Sequence, residues 1–184
     1  MAWPPTPTRL RATSTTDANG NRLSFQNPQS GDTATATYDD QDRLLRHADT
    51  TYAYSAAGEL SLKVAGSDST RYTYDLLGNL ITVVLPNGTR IDYLIDGQNR
   101  RVGREVSGVL VQGWLYEDGL RPVAELDGAG NVVARYVWGS RGNVPEYVVK
   151  GGTSYRIVAD HLGSVRLVVN GGNGTVADRV SYDA

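Results

Sequence analysis

A unit of about twenty residues recurs along this 184-residue chain, and no other feature limits its fold so tightly. Tyr52-Ala53-Tyr54-Ser55-Ala56-Ala57-Gly58-Glu59-Leu60 aligns position by position with Tyr72-Thr73-Tyr74-Asp75-Leu76-Leu77-Gly78-Asn79-Leu80. Upstream, Tyr38-Asp39-Asp40-Gln41-Asp42-Arg43-Leu44 carries Asp42 at the glycine position, and Asp17 to Leu23 keeps the bend, with Gly20, but lacks the tyrosine. Downstream the unit loosens: Asp96 pairs with Asn99 at the glycine position, Asp127 with Gly130, and Asp160 with Gly163, and Tyr182-Asp183 opens one more copy.

The chemistry of the unit predicts a turn. An aspartate at its first position accepts a hydrogen bond from the backbone N–H two residues on. Three residues on, glycine, or Asn or Asp in its place, suits a backbone with positive φ. The flanks alternate, with Tyr72 and Tyr74 on one face opposite Arg71 and Thr73, and Val132, Ala134, Tyr136 and Trp138 opposite Val133, Arg135 and Val137. Period two of this kind argues for strands. A second set of bends, Asn87-Gly88, Ser107-Gly108 and Gly151-Gly152, falls between the first, so two turn types alternate about every ten residues. Apolar residues at helical spacing are nowhere sustained. The expectation is an all-β chain of successive antiparallel hairpins over residues 15–184, preceded by an extended, Pro-rich arm over residues 1–14.

Composition excludes several classes. The absence of cysteine removes disulfide frameworks and thiolate metal sites. A net charge of −2 gives no general reason to expect nucleic acid. No apolar run approaches the ~20 residues of a membrane-spanning helix. The N-terminus lacks the basic and apolar regions of a secretory signal. Eleven tyrosines against three tryptophans and one phenylalanine suit half-buried strands, where the ring packs and the hydroxyl finds a partner.

Candidate chemistry is sparse. Asp160, His161 and Ser164 are contiguous in one turn, which is unsuited to a linear Ser–His–Asp hydrogen-bond chain. His47 follows Arg46 with no visible partner. Asp39, Asp40 and Asp42 gather carboxylates, but without the alternating loop of a calcium-binding repeat; they read as a solvated turn. The sequons Asn87-Gly88-Thr89 and Asn173-Gly174-Thr175 are explained equally well as turns, and Arg100, Arg101 and Arg104 do not form a stripe for nucleic acid. Tyr72, Tyr74, Trp114, Tyr136 and Trp138 form a candidate binding face. Their recurrence with the repeat favours cross-strand packing over a carbohydrate platform. No catalytic residue, metal site or cofactor is expected.

The Tyr-Asp-x-x-Gly-Asn/Arg-Leu unit resembles the YD repeat of RHS-repeat proteins. The segments from Asp96 to Val102, Gly119 to Leu126 and Asp160 to Val168 resemble the C-terminal part of that repeat core. The resemblance covers about residues 15–184. It implies a β-strip that spirals into a hollow shell around a variable C-terminal toxin domain, in bacterial proteins delivered to other cells. By this resemblance the chain is a non-enzymatic segment of the shell wall. Its partners are the rest of the shell, the enclosed toxin and secretion-system components, and it reaches the cell surface or exterior through a longer parent. The family's self-cleavage motif has no match before Ala184, so no catalytic residue is carried over. A surface adhesin or carbohydrate-binding repeat is the alternative. Alone, a piece of wall with exposed strand edges is expected to be marginally stable or to self-associate.

Overall fold

The structure, a computed structural model, describes residues 12–182. The Pro-rich segment up to residue 11 lies outside the described residues, and strand begins at Thr13, inside the span assigned to the arm. Among the described residues there are seventeen strands and no helix, hence no helix able to cross a membrane.

The chain divides into two units. The first comprises residues up to 73 together with 84–87. It contains β1 (Thr13–Thr16), β2 (Arg22–Gln26), β3 (Thr33–Tyr38), β4 (Leu44–His47), β5 (Thr50–Tyr54), β6 (Leu60–Ala65) and nearly all of β7 (Asp68–Tyr74). Each strand pairs antiparallel with the next, from β1–β2 through β6–β7.

The second unit takes residues 74–83 and those from 88 on. It holds most of β8 (Leu80–Val84), then β9 (Arg90–Ile95), β10 (Arg101–Val106), β11 (Val109–Tyr116), β12 (Pro122–Asp127) and β13 (Val132–Val137). β14 (Tyr147–Lys150), β15 (Thr153–Ala159), β16 (Val165–Asn170) and β17 (Val176–Arg179) complete it. From β9 to β17 every strand again pairs antiparallel with its successor.

Both units are ladders whose faces stay half-exposed. The buried apolar side chains among the described residues are Ala36, Val83, Ala124, Ala134 and Val144, and no large side chain is fully buried. Stability therefore rests on ladder hydrogen bonds and on side-chain pairs across neighbouring strands rather than on a central core.

In an all-hairpin ladder successive bends fall on alternate edges. In the second unit one edge carries the bends 75–79, 96–100, 117–121 and 160–164, and the other carries 107–108, 127–131 and 151–152. The Asp127 bend is thus on the opposite edge from those at Asp96 and Asp160, although it has the same chemistry. At the place where the repeat calls for a turn after β13, the chain instead makes a long loop, residues 138–146, anchored by buried Val144. The face over Val132–Trp138 also differs from strict alternation. Ala124 pairs with Arg135 and Glu125 with Ala134, but the register slips before Leu126 meets Val132. That bulge takes Val132 off the face of Ala134 and Tyr136, leaving it 45% exposed.

Candidate functional site

The recurring bend is a three-residue hairpin loop closed by a residue in the left-handed region. At Asp75, the N–H of Asp75 donates to the Asn79 carbonyl and the N–H of Gly78 to the Asp75 carbonyl, at 3.0 and 3.2 Å. The fourth residue carries positive φ at each such bend: Gly20, Asp42, Gly58, Gly78, Asn99, Gly130 and Gly163. Asn99 and Asp42 adopt φ values of 64° and 61°, a conformation in which short polar side chains are tolerated.

The aspartate does more than open the bend. One carboxylate oxygen of Asp75 accepts the N–H groups of Leu77 and Asn79, and the other accepts the Asn79 side-chain amide. Asp17 has the same three partners in Asn19 and Asn21, and Asp127 has them in Ala129 and Asn131. Where the fifth residue is arginine, as after Asp39 and Asp96, its guanidinium takes the amide's place at 2.7 Å. This gives a reason for the fifth position's preference for Asn or Arg: both supply a backbone and a side-chain donor to one carboxylate. The Asn79 amide holds Asp75 below the usual aspartate range, and Asn21 and Asn131 do so for Asp17 and Asp127. The Arg43 N–H lowers Asp39, and the Arg100 guanidinium lowers Asp96.

One bend of this edge escapes the aligned pattern. In Tyr116-Glu117-Asp118-Gly119-Leu120-Arg121 the acidic cap moves one place along, to Asp118. Asp118 accepts the N–H groups of Leu120 and Arg121 and the Arg121 guanidinium, and together these lower its carboxyl to about 2. The available signal was an aromatic residue followed by two acidic ones.

The aromatic residue before the bend ties one repeat to the preceding one. Tyr38 donates its hydroxyl to the Arg22 carbonyl, Tyr54 to Leu44, Tyr116 to Arg101 and Tyr182 to Val165. Trp138 does the same through its indole N–H to Pro122, at 2.8 Å. Each acceptor is the residue just after the preceding bend on that edge. Arginines from those bends pack on the same rings: Arg43 over Tyr54 and Arg100 over Tyr116, both with the guanidinium carbon 5.1 Å from the ring centre. Neighbouring bends also touch directly. Asn19 and Asn21 donate to Asp42, Asn79 donates to Asn99, and Arg100 reaches the Asp118 carbonyl.

The remaining candidates are placed as follows. Tyr72 lies half-buried in the first unit, and Tyr74 half-buried in the second. Trp114 pairs in register with Glu125, whose carboxylate accepts the Tyr136 hydroxyl and the Gln112 amide. Burial, followed by the Glu125 charge, pushes the Tyr136 phenol up to about 12. Trp138 is tied to Pro122, so Tyr136 and Trp138 have their polar atoms turned to the ladder itself.

Asp160 accepts Leu162 and Ser164 N–H groups on one oxygen and the Arg166 guanidinium on the other. Burial opposes ionisation there, but these bonds prevail and keep its carboxyl low. Its oxygens are thus committed to the bend rather than to orienting His161, which is exposed. Asp39 and Asp42 are likewise engaged by Arg43 and by Asn19 and Asn21. Among the described residues no three His, Cys, Asp or Glu side chains gather as metal ligands.

A family model described as Teneurin YD-shell matches residues 11–184. Among solved structures, a TcdB2-TccC3 crystal structure matches with 15% identity and a TM-score of 0.51, over 89% of this chain and 11% of that one. A TcdB2-TccC3-TEV crystal structure matches at 10% identity and a TM-score of 0.46, over 94% of this chain and 12% of that one. A Photorhabdus luminescens Tc holotoxin pore with a mutated TccC3 matches at 13% identity and a TM-score of 0.43, over 89% and 11%. The chain therefore spans about a ninth of the length of these solved chains. None of the curated proteins matches.

Proposed function

The chain belongs to the teneurin YD-shell family, and from that premise we propose that it serves as a wall segment of an RHS-type shell enclosing a toxin or effector domain. The module works by confinement rather than by catalysis. The observation that carries this reading is the repeat-to-repeat tie. Aromatic N–H and O–H groups, arginines and bend carboxylates spend their bonding capacity joining one hairpin to the next. Such a surface is suited to being a continuous sheet. Its half-exposed faces, with no large side chain fully buried among the described residues, suit a thin wall with something on either side. The carbohydrate-platform alternative is less favoured, because Tyr136 and Trp138 direct their polar atoms into the ladder.

In this reading the parent protein is secreted or displayed at the cell surface, and the partners are further repeats of the same shell and the enclosed domain. The test is limited proteolysis of the protein in its natural reading frame. The enclosed domain should survive while residues 12–182 are intact and be digested once they are deleted. Equal digestion in both proteins, or a reading frame without further repeats, would overturn the proposal.

A further inference from the structure

On the edge of the second unit that carries the aromatic ties, two bends lack the preceding aromatic: Ile95 stands before Asp96, and Ala159 before Asp160. A hollow opens beside each one. The hollow at Ile95 measures about 420 Å3. Its lining is Leu80, Ile95, Trp114 and Tyr116, with the amides of Asn79 and Asn99 and one cation, Arg101, beside them. Leu80 is the residue just after the preceding bend, the position whose carbonyl accepts an aromatic donor elsewhere in the chain. Ile95 has no donor to offer it. The hollow at Ala159 is lined instead by Arg141, Glu146 and Arg156, and is too charged to suit an apolar ring.

We propose that the hollow between Leu80, Ile95 and Trp114 binds a tyrosyl side chain presented by a second polypeptide. The occupant is identified by the chain's own precedent. In equivalent repeats the matching space takes a phenol or indole ring, with its polar hydrogen on a backbone carbonyl and its flanks against neighbouring side chains. A ring entering at Ile95 meets aliphatic carbon on Leu80 and Ile95 and an aromatic neighbour in Trp114. Its hydroxyl meets the Leu80 carbonyl and the Asn79–Asn99 amide pair, in which Asn79 already donates to Asn99 at 2.6 Å. The site does not depend on enclosure and stands whether or not the wall reading holds.

The test is a titration of the 15N-labelled chain with p-cresol, toluene and N-acetyltyrosinamide, followed by NMR at the Trp114 indole N–H. p-Cresol and N-acetyltyrosinamide should give saturable shifts there, with toluene about fivefold weaker, the equivalent of one hydrogen bond of about 1 kcal/mol. Ile95→Tyr restores the repeat's own ring, and should abolish both shifts while raising the melting temperature. Equal affinity for toluene and p-cresol would overturn recognition of the hydroxyl. Binding of p-cresol without N-acetyltyrosinamide would overturn the polypeptide source. No saturable shift at Trp114, or unchanged binding in a folded Ile95→Tyr chain, would overturn the site. Should that variant fail to fold, the three-ligand comparison on the unaltered chain decides the matter.

Discussion

The aromatic ties between repeats make a quantitative prediction. Replacing Tyr38, Tyr54 and Tyr116 with phenylalanine keeps the rings, and with them the packing of Arg43 on Tyr54 and Arg100 on Tyr116, while deleting three hydroxyl-to-carbonyl bonds of 2.8–3.1 Å. A hydrogen bond contributes about 0.5–1.5 kcal/mol net, and partial exposure places these in the lower half of that range. The three bonds lie in separate repeats and share no residue, so their losses should add to roughly 1.5–3 kcal/mol. For a chain of this size each kcal/mol moves the melting temperature by about 2–4 °C, giving a drop of roughly 3–12 °C. Urea unfolding followed by circular dichroism should show a lower midpoint at unchanged slope. Tyr52→Phe and Tyr72→Phe, at strand positions away from the bends, should shift the midpoint little. If the triple variant unfolds with the parent, or if the controls fall as far, the ties do not hold the repeats together.

Four further outcomes follow from the bends and the ladder. Gly78→Ala forces a side chain into φ of 81° and should cost roughly 1–2 kcal/mol, whereas Gly97→Ala, in open space without positive φ, should shift the urea midpoint far less. Gly128→Ala points a methyl group into the backbone carbonyl of Leu110 and should disrupt β11–β12 pairing, seen as accelerated amide exchange in Val109–Tyr116. The bend aspartates, Asp118 at about 2 among them, titrate lower folded than unfolded. Their contribution is therefore fully present above the ordinary aspartate range and lost as pH falls through the folded values; melting temperature should be flat from about pH 5 to 7 and fall below about pH 4. Tyr136, pushed up to about 12 in the folded chain, has the opposite sign: its contribution is present below about pH 10 and lost as pH rises toward 12. Tyrosinate absorbance should show a late phenol that is lost in Tyr136→Phe.

The alternation of hairpins was legible because its causes are local. An acidic cap, the N–H two residues on and a left-handed fourth residue are all written within five positions, so Asp75 and Gly78 announce a bend without any knowledge of distant strands. Parity was not legible. The Asp127 bend reads like the Asp96 bend, but its edge depends on counting every hairpin in between. The count passes through Tyr116–Arg121, where the cap has moved to Asp118 and the alignment fails. Nor could the sequence show what the tyrosines do. The partners of Tyr38, Tyr54 and Tyr116 are backbone carbonyls 16, 10 and 15 residues away, and a carbonyl has no residue identity to read. The bulge that removes Val132 from its expected face is also a product of cross-strand pairing.

Enclosure itself is tested most directly by electron cryomicroscopy of the protein expressed in its natural reading frame. The account predicts that residues 12–182 run continuously into neighbouring repeats along the edge of β17, as part of a closed wall with density inside it. A ladder whose β17 edge stays open to solvent, with no enclosed density, would contradict it.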